Sequence, residues 1–167
     1  TAIPILIGGR HITPIRSTSK ENIHMRLKHL QRLASVYPYE SESVDRLALN
    51  ISSEDRIVVD KIKESEWENR RYIIIAPGSA NGQKRWPADR FATLCDKIAE
   101  QYKYHIVIVG DQFDHPVALE ILKQISVAAT NLCGRMGLTQ VAALMQDAVC
   151  VISNDSAPMH LASYLNI

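Results

Sequence analysis

The sequence has 167 residues, of which 46% are hydrophobic and 22% charged, and its formal net charge is +1. These values are typical of one globular domain with a small appendage, and the near-neutral charge disfavours general binding to nucleic acid. No apolar run reaches the roughly 18 residues that a membrane-spanning helix needs. Because the sequence begins at Thr1 without a basic segment, we expect an excerpt of a longer protein rather than a signal peptide.

The three cysteines, Cys95, Cys133 and Cys150, are far apart in the sequence and lie in apolar surroundings. Their spacing fits neither a zinc site nor a disulfide framework. We therefore expect buried, reduced thiols of the kind found in cytoplasmic proteins.

The first part of the chain contains one predicted strand and one predicted helix. The apolar run over 3–7 ends at Gly8-Gly9, and Pro4 indicates a strand start or a sheet edge. A helix is predicted over 20–36, because apolar residues recur there at helical spacing. Its other face is basic, and that face is either solvated or in contact with an anionic acceptor or the membrane surface.

A shorter helix is predicted over 53–66, beginning at Ser52 or Ser53, and the ionic stretch over 64–71 indicates the entry to a new module. From residue 72 onward, apolar β-branched segments alternate with helical patterns. The predicted elements are strands over 72–76, 106–109, 131–133 and 148–152, helices over 87–102 and 138–146, a helix that ends near 128, and a final helix that follows Ser156. This order predicts an α/β fold in which a parallel sheet is covered on both faces and connected by right-handed crossovers.

Four predicted loops follow the strands and meet at the carboxyl edge of the sheet, where open α/β sheets bind ligands. They span residues 78–86, 110–114, 134–137 and 154–160. The last loop is the most informative. Its Ser156 is a natural helix N-cap and Pro158 fits the first helical turn. The free N–H groups and the helix dipole there favour a phosphate.

The loop after the first of these strands supplies a candidate cation. Lys84 is a candidate counter-ion for a diphosphate, because a flexible ammonium beside helix amino ends neutralises such a group well. The alternative is a solvated loop cation. Gly78 and Ser79 are candidate backbone donors to phosphate, although a glycine-containing loop is a weak signal alone, and Trp86 fits a packing residue better than a base-stacking platform.

The other loops supply acidic residues and two further candidates. Asp155 is either an acceptor for sugar hydroxyls or an acid that caps a helix. Asp111 and Asp114 are most simply turn formers, and one of them is a candidate ribose ligand. His160 is a candidate donor beside the phosphate or a solvated residue, and Met136 is most simply a core residue.

Several well-known site patterns are absent from the sequence. Neither GxxxxGK[ST] nor GxGxxG occurs, which disfavours a P-loop protein and a Rossmann dehydrogenase. No Ser/His/Asp or Cys/His arrangement and no metal-binding cluster is evident. The sequence therefore predicts a ligand-binding half rather than a complete catalytic machine.

At these positions the sequence resembles the heptosyltransferases of lipopolysaccharide core synthesis, glycosyltransferase family 9. The resemblance covers about residues 70–167, and the order and spacing of its motifs make it specific. The motifs are Pro77-Gly78-Ser79 with Lys84-Arg85-Trp86-Pro87, Val109-Gly110, Asn131-Leu132-Cys133-Gly134 with Met136, and Asn154-Asp155-Ser156-Ala157-Pro158-Met159-His160. The helix predicted over 20–36 is similar in placement to the linker helix of that family.

The resemblance implies the GT-B architecture, in which two Rossmann-like domains face each other across a cleft. Residues 1–15 would then end the N-terminal acceptor domain, 16–69 would form a linker with helices, and 70–167 would form the C-terminal nucleotide-sugar-binding domain. It further implies inverting transfer of a heptose from ADP-heptose to the lipid A/inner-core acceptor, without a metal or cofactor. The expected location is cytoplasmic, with peripheral contact at the inner face of the inner membrane.

The resemblance also assigns roles to residues. Lys84 and Asp155 are the expected catalytic residues: Lys84 neutralises the diphosphate and Asp155 holds heptose hydroxyls. Ser156 and Ala157, with Gly78 and Ser79, bind phosphate or ribose. Met136 lines the adenine pocket, His160 supports the phosphate end, and Asp111 or Asp114 meets the ribose.

The sequence departs from the family in two respects. It lacks the general base, an Asp near the start of the N-terminal domain, and it lacks the Gly-Pro turn after the last helix. We therefore expect weak donor binding and no turnover by this chain alone. Two alternatives stay open: another GT-B enzyme with a different nucleotide sugar, either a hexosyltransferase or an epimerase, and a non-catalytic nucleotide-binding module.

Overall fold

The structure is a computed structural model that describes the backbone of residues 5–7 and 10–12 and all atoms of residues 49–167. The chain divides into two compact units, Thr1–Ala48 and Leu49–Ile167. The helix predicted over 20–36 lies outside the described residues.

The described part of the first unit is a β-hairpin. Strands β1 (Ile5–Ile7) and β2 (Arg10–Ile12) pair antiparallel, with Ile5 opposite Ile12. The first strand confirms the sequence prediction. The second is absent from that prediction, because Arg10-His11-Ile12 is too short and too polar to indicate a strand by itself.

The second unit is an α/β layer structure around a four-stranded sheet. Its elements in chain order are α1 (Ser53–Trp67), β3 (Tyr72–Ala76), α2 (Ala88–Tyr102), β4 (His105–Ile108), α3 (His115–Leu122), β5 (Ala129–Asn131), α4 (Leu138–Gln146), β6 (Val151–Ser153) and α5 (Ala157–Leu165). The strand order is β5-β4-β3-β6, and every pair is parallel. The predicted parallel sheet is therefore confirmed.

Both faces of the sheet are covered, which explains why β3 and β4 are apolar at every position but one. On one face, Tyr72, Ile74 and Val107 pack among residues from α1, α4 and α5. On the other, Ile73, Ile75 and Ile106 pack among residues from α2 and α3. Strands that are buried on two sides read as continuous β-branched runs rather than as alternating patterns.

Helix α1 begins where the sequence places it. The Ser52 side chain is the cap and accepts a hydrogen bond of 3.1 Å from Asp55 N. The helix then packs against α4, where Lys63 Nζ lies 2.9 Å from Asp147 Oδ2. Although the family resemblance predicts this segment to lie between two domains, α1 lies within the compact unit Leu49–Ile167. The domain boundaries themselves stay a prediction.

Two predicted strands are displaced along the chain. The strand predicted over 131–133 is observed two residues earlier, as β5. Thr130 pairs with β4 inside the sheet, whereas Leu132 and Cys133 lie after the strand and are buried there. The strand predicted over 148–152 is observed as β6. It is half-buried rather than buried, because it terminates the sheet and pairs only with β3 among the described strands.

The helix predicted to end near 128 is also shorter than expected. Helix α3 ends at Leu122, after which Gln124 N donates to Ile121 O and the chain turns. Ser126 N then donates a hydrogen bond of 2.9 Å to Asp96 Oδ1 on α2. This tertiary contact, which the local pattern does not encode, replaces another helical turn.

The cysteines are free thiols. Cys95 and Cys133 are buried, as predicted, and burial raises the pKa of each thiol to about 12. The expectation of a buried thiol is wrong for Cys150, which is half-buried beside the terminal strand.

Candidate functional site

A cavity of about 700 Å³ opens among the loops that follow the four strands of the sheet. Its size lies within the range of about 300–1,000 Å³ that is typical of small-molecule sites. All predicted site residues except His160 line it: Gly78, Ser79, Lys84, Asp111, Asp114, Met136, Asp155, Ser156 and Ala157. The structure thus brings these residues to one place, while their roles stay predictions.

An ion pair joins the loop after β3 to the loop after β6. Lys84 Nζ donates to Asp155 Oδ2, and the two side chains are 49% and 54% exposed. The hydrogen bond and charge of Lys84 lower the pKa of the Asp155 carboxyl. An ion pair this exposed contributes little to stability. An anionic ligand can therefore replace Asp155 as the partner of the Lys84 ammonium.

His160 lies beside this pair but outside the cavity lining. Its Nε2 is 4.0 Å from Asp155 Oδ1, and its side chain is 73% exposed. The structure therefore places His160 next to Asp155, and its support of the phosphate end stays a prediction.

A buried asparagine, to which the sequence pattern assigns no role, fixes the same two loops. The side chain of Asn154 donates to Pro77 O at 2.7 Å and accepts from Trp86 N at 3.1 Å. Its own N–H donates to Ala76 O at 3.4 Å. Asn154 therefore sets the distance between the Lys84 loop and the Asp155 loop.

Ser79 is a buried part of this framework rather than an open donor. Its hydroxyl donates to Asp155 O at 3.5 Å, and its carbonyl accepts from Arg85 Nε at 2.9 Å. Trp86 packs edge-on against Phe91 with ring centroids 4.9 Å apart, but it is 41% exposed, so it is a packing residue at the surface rather than in the core.

The two acidic residues after β4 form a tight turn, as the simpler interpretation predicts. Asp111 Oδ1 accepts from Phe113 N at 2.7 Å and from Asp114 N at 3.1 Å. Asp114 Oδ2 accepts in return from Asp111 N at 3.2 Å. Burial raises the pKa of Asp114.

The Asp114 carboxylate occupies the space that two glycines leave open. A Cβ at Gly78 would overlap the carboxylate itself, and a Cβ at Gly110 would lie 2.7 Å from Asp114 Oδ2. These glycines are therefore needed for the close approach of the loops after β3 and β4.

The amino end of α5 confirms the predicted position of the N-cap but not its hydrogen bond. Ser156 is the N-cap residue, yet its hydroxyl donates to Asn154 O at 3.3 Å instead of accepting from the helix. Pro158 lies in the first turn, and Met159 N and His160 N donate to Ser156 O. At the start of this turn, Ser156 and Ala157 therefore have N–H groups that the helix itself does not bond.

Several cavity residues are missing from the sequence predictions. Phe113 and Leu138 line the cavity and are exposed, and Arg85, Val141 and Leu161 complete its walls. A local pattern does not identify them, because whether an apolar residue next to a turn faces core or cavity depends on tertiary packing.

In the described ranges of the chain, no three or more His, Cys, Asp or Glu side chains are grouped to hold a metal ion. In the same ranges, no helix has the length and hydrophobicity to cross a membrane.

The parallel sheet, the cavity at its carboxyl edge and the helix amino end beside it define a Rossmann-like α/β ligand-binding domain. The chain belongs to glycosyltransferase family 9 (heptosyltransferase), whose sequence pattern matches residues 19–166. The resemblance seen in the sequence is thereby confirmed.

The chain is similar to curated heptosyltransferases over part of its own length and a smaller part of theirs. The chain is 34% identical over 104 residues to lipooligosaccharide heptosyltransferase 2 of Haemophilus ducreyi, a match that covers 59% of this chain and 30% of the relative. It is 32% identical over 102 residues to lipopolysaccharide heptosyltransferase 2 of Escherichia coli K12, which covers 58% of this chain and 29% of the relative. The chain spans less than a third of the length of these two proteins.

Solved structures show the same architecture. A family 9 glycosyltransferase from Veillonella parvula aligns with a TM-score of 0.76 at 25% identity, over 89% of this chain and 43% of that one. The E. coli ADP-heptose LPS heptosyltransferase II aligns with a TM-score of 0.63 at 28% identity, over 71% of this chain and 37% of that one. These similarities confirm the predicted α/β, Rossmann-like fold of the GT-B type.

Proposed function

We propose that this chain is the nucleotide-sugar-binding part of a glycosyltransferase that moves a heptose from ADP-heptose to the inner core of lipopolysaccharide, with inversion at the anomeric carbon. One observation carries the proposal: in a member of family 9, Lys84, Asp155 and the amino end of α5 converge on one cavity. The names of the matched relatives support the donor and the acceptor.

Lys84 and the amino end of α5 act on the leaving group in this proposal. As the bond between the heptose anomeric carbon and the diphosphate oxygen breaks, negative charge develops on the diphosphate. The Lys84 ammonium and the Ala157 N–H stabilise that charge, as preorganised donors do in other transferases. No metal or cofactor takes part in this scheme.

Asp155 binds heptose hydroxyls rather than removing a proton. Its carboxylate is ion-paired with Lys84, and its lowered pKa makes it a poor proton acceptor. We therefore do not assign the role of general base to Asp155. The acceptor hydroxyl is activated by a group elsewhere in the complete enzyme.

The partners follow from the same proposal. They are the nucleotide-sugar donor and the lipid-anchored inner-core acceptor, met at the cytoplasmic face of the inner membrane of a Gram-negative bacterium. The proposed division of labour places the donor in the unit Leu49–Ile167 and the acceptor in the N-terminal domain.

Calorimetric titration of the protein with ADP-heptose, ADP and UDP-glucose tests this proposal. We expect ADP-heptose to bind most tightly. Lys84→Ala and Asp155→Ala should each weaken ADP-heptose binding about tenfold or more, since a hydrogen bond to a charged group contributes about 1.5–3 kcal/mol. Lys97→Ala, which removes an exposed lysine of α2 outside the cavity, should leave the affinity unchanged.

The other outcomes separate the alternatives. Tightest binding of UDP-glucose would assign the chain to another GT-B enzyme. Equal binding of ADP and ADP-heptose would indicate a nucleotide-binding module without sugar recognition. Binding of none of the three ligands would contradict the proposal altogether.

A further inference from the structure

The loop that carries Lys84, residues 78–86, is exposed along most of its length. It connects β3 to α2, and residues 80–86 are all exposed. The edge contact of Trp86 with Phe91 attaches the end of the loop to α2. Exposed segments with few buried contacts open at a low cost in free energy, so the position of Lys84 depends on the hydrogen bonds that its loop makes.

One side chain closes this loop at both ends. The side-chain nitrogen of Asn154 donates to Pro77 O at 2.7 Å, where the loop begins, and its side-chain oxygen accepts from Trp86 N at 3.1 Å, where the loop ends. Inside the loop, Lys84 N donates to Asn81 O at 2.9 Å. The Lys84 loop is thus bonded internally, and Asn154 joins its two ends.

Asn154 is itself held firmly at the end of β6. It is 8% exposed, its N–H donates to Ala76 O at 3.4 Å, and its carbonyl accepts from Ser153 Oγ at 2.7 Å and from Ser156 Oγ at 3.3 Å. A buried amide side chain whose nitrogen and oxygen are both bonded keeps one orientation, because another orientation would leave polar atoms unsatisfied. Because Asp155 follows directly, one framework carries both members of the ion pair.

The other polar links between the two loops are weaker. Ser79 Oγ lies 3.5 Å from Asp155 O, which is longer than a normal hydrogen bond between oxygens. The ion pair of Lys84 with Asp155 is exposed, and it is lost when an anionic ligand takes the ammonium. Among residues 49–167, Asn154 then supplies the strongest hydrogen-bonded link between the two loops.

From these observations we propose that Asn154 is a positioning residue, which holds the Lys84 ammonium where the diphosphate of the donor binds and acts on the ligand through Lys84. The inference rests on the proposed function and adds to it a residue that touches neither nucleotide nor sugar. Asn154 is absent from the cavity lining, so its effect on binding is indirect. A cation that is already in place needs no reordering when the anion binds, which strengthens binding.

Amide exchange in the unaltered protein tests the closure of the loop directly. Trp86 N–H is donated to a buried side chain, whereas Gly82 lies in the same exposed loop. NMR should therefore find the Trp86 amide protected from exchange about tenfold or more relative to the Gly82 amide, after correction for intrinsic rates. Equal protection of the two amides would overturn the proposal, and this measurement needs no variant.

A carbon NMR titration of Asp155 reports where Lys84 lies, also without a ligand. Lys84 lowers the pKa of the Asp155 carboxyl. In Asn154→Ala this pKa should rise toward its value in Lys84→Ala, because the ammonium is no longer held beside the carboxylate. Asn131→Ala is the matched control, since Asn131 Oδ1 also accepts from a backbone N–H, at 2.9 Å, but beside β5. An unchanged Asp155 pKa in Asn154→Ala would overturn the proposal.

Calorimetry with ADP and inorganic pyrophosphate tests the effect on binding. Asn154→Ala and Lys84→Ala should each weaken the binding of both ligands about tenfold. The double variant should bind no more weakly than Lys84→Ala, because the effects of residues that act through one contact do not add.

The outcomes of the titrations separate this inference from the proposed function. If the losses of the two single variants multiply in the double variant, Asn154 acts independently of Lys84 and the inference is wrong. If Asn154→Ala binds both ligands as tightly as the unaltered protein does, the inference fails and the donor site stands. If the unaltered protein binds neither ligand, the proposed function fails, and the inference fails with it.

Discussion

At the residue scale, the Asp114 side chain, a predicted ribose ligand, packs between the loops that form the cavity wall. Its carboxylate fills the space beside Gly78 and Gly110 and accepts from Asp111 N. The carboxylate thereby holds the loops after β3 and β4 together. The family resemblance leaves open whether Asp111 or Asp114 meets the ribose, and this geometry favours Asp111, whose Oδ2 is not used in the turn bonds described above.

Replacing Gly78 should disrupt the cavity. In Gly78→Ala the new methyl group overlaps the Asp114 carboxylate, so we expect a loss of about 1–3 kcal/mol in the free energy of unfolding together with weaker ADP binding. Chemical denaturation measures the first effect and calorimetry the second. Gly82→Ala is the matched control, since a Cβ there meets nothing within 4 Å. If Gly78→Ala and Gly82→Ala have the same stability and the same ADP affinity, the loops after β3 and β4 do not approach each other as closely as described.

Replacing Asp155 should weaken the binding of the sugar more than the binding of the nucleotide. In Asp155→Asn the Lys84 ammonium loses its partner and becomes fully available to phosphate, while the sugar hydroxyls lose a charged acceptor. We expect ADP to bind as tightly as before or more tightly, and the preference for ADP-heptose over ADP to fall about tenfold. Parallel titrations of both ligands give the ratio. A proportional loss of both affinities would show that Asp155 acts on the nucleotide end.

The sequence predicts the charged residues of the cavity better than its apolar ones. Lys84 and Asp155 stand in loops between strong strand and helix patterns, so their placement at the carboxyl edge follows from the order of elements alone. Phe113 gives no such signal, because an apolar residue in a short loop is as compatible with burial as with exposure. Asn154 is within a recognised motif, but its bonds to Pro77 and Trp86 depend on the pairing of β3 with β6.

At the element scale, His105 connects three elements on the edge of the sheet opposite the cavity. It lies on β4, its ring stacks on Trp67 of α1 with centroids 5.2 Å apart, and its Nε2 pairs with Thr130 Oγ1 of β5 at 2.9 Å. Burial, with a smaller effect of Arg70, lowers the pKa of His105 to about 4, and Glu66 acts in the opposite sense. The folded protein therefore holds this imidazole neutral.

This depressed pKa makes the stability of the fold dependent on pH. Between pH 6.5 and about 4 the unfolded chain binds a proton at His105 that the folded chain excludes. The contribution is fully present above pH 6.5 and is lost as the pH falls toward 4. The loss from this group is about 3 kcal/mol, and urea denaturation at several pH values measures it.

Two variants isolate this effect. His105→Phe keeps an aromatic ring against Trp67 but cannot titrate, so its stability should decline much less over the same pH interval. His115→Asn removes an exposed histidine and should retain the full decline. If the unaltered protein and His105→Phe lose stability in parallel, the neutral buried imidazole is not the cause.

The sequence predicts the bounds of a helix or strand well where its local pattern is strong. Helix α1 begins at a serine cap, and α2 and α4 match their periodic patterns. The displaced bounds of β5 and β6 have one common cause: both are terminal strands of three residues, so pairing with a single neighbour decides where they begin and end. Such pairing is a tertiary property.

At the scale of the whole molecule, strand order brings loops that are far apart in the sequence into one site. The order β5-β4-β3-β6 places the loops after all four strands around one cavity, with Asp111 and Asp114 after β4 and Lys84 and Asp155 after the paired strands β3 and β6. Alternating strand and helix patterns predict a parallel sheet but leave the order of its strands open. Which loops are neighbours around the cavity is therefore visible only in the structure.

The most direct test of the donor site is hydrogen–deuterium exchange of the protein with and without ADP-heptose. We expect added protection in the four loops at the carboxyl edge, residues 78–86, 110–114, 134–138 and 154–160. The turns at the other edge, residues 68–71, 103–104, 123–128 and 147–150, should exchange as before. Protection confined to those opposite turns, or no change in any segment at saturating ligand, would contradict the assignment of the donor to this cavity.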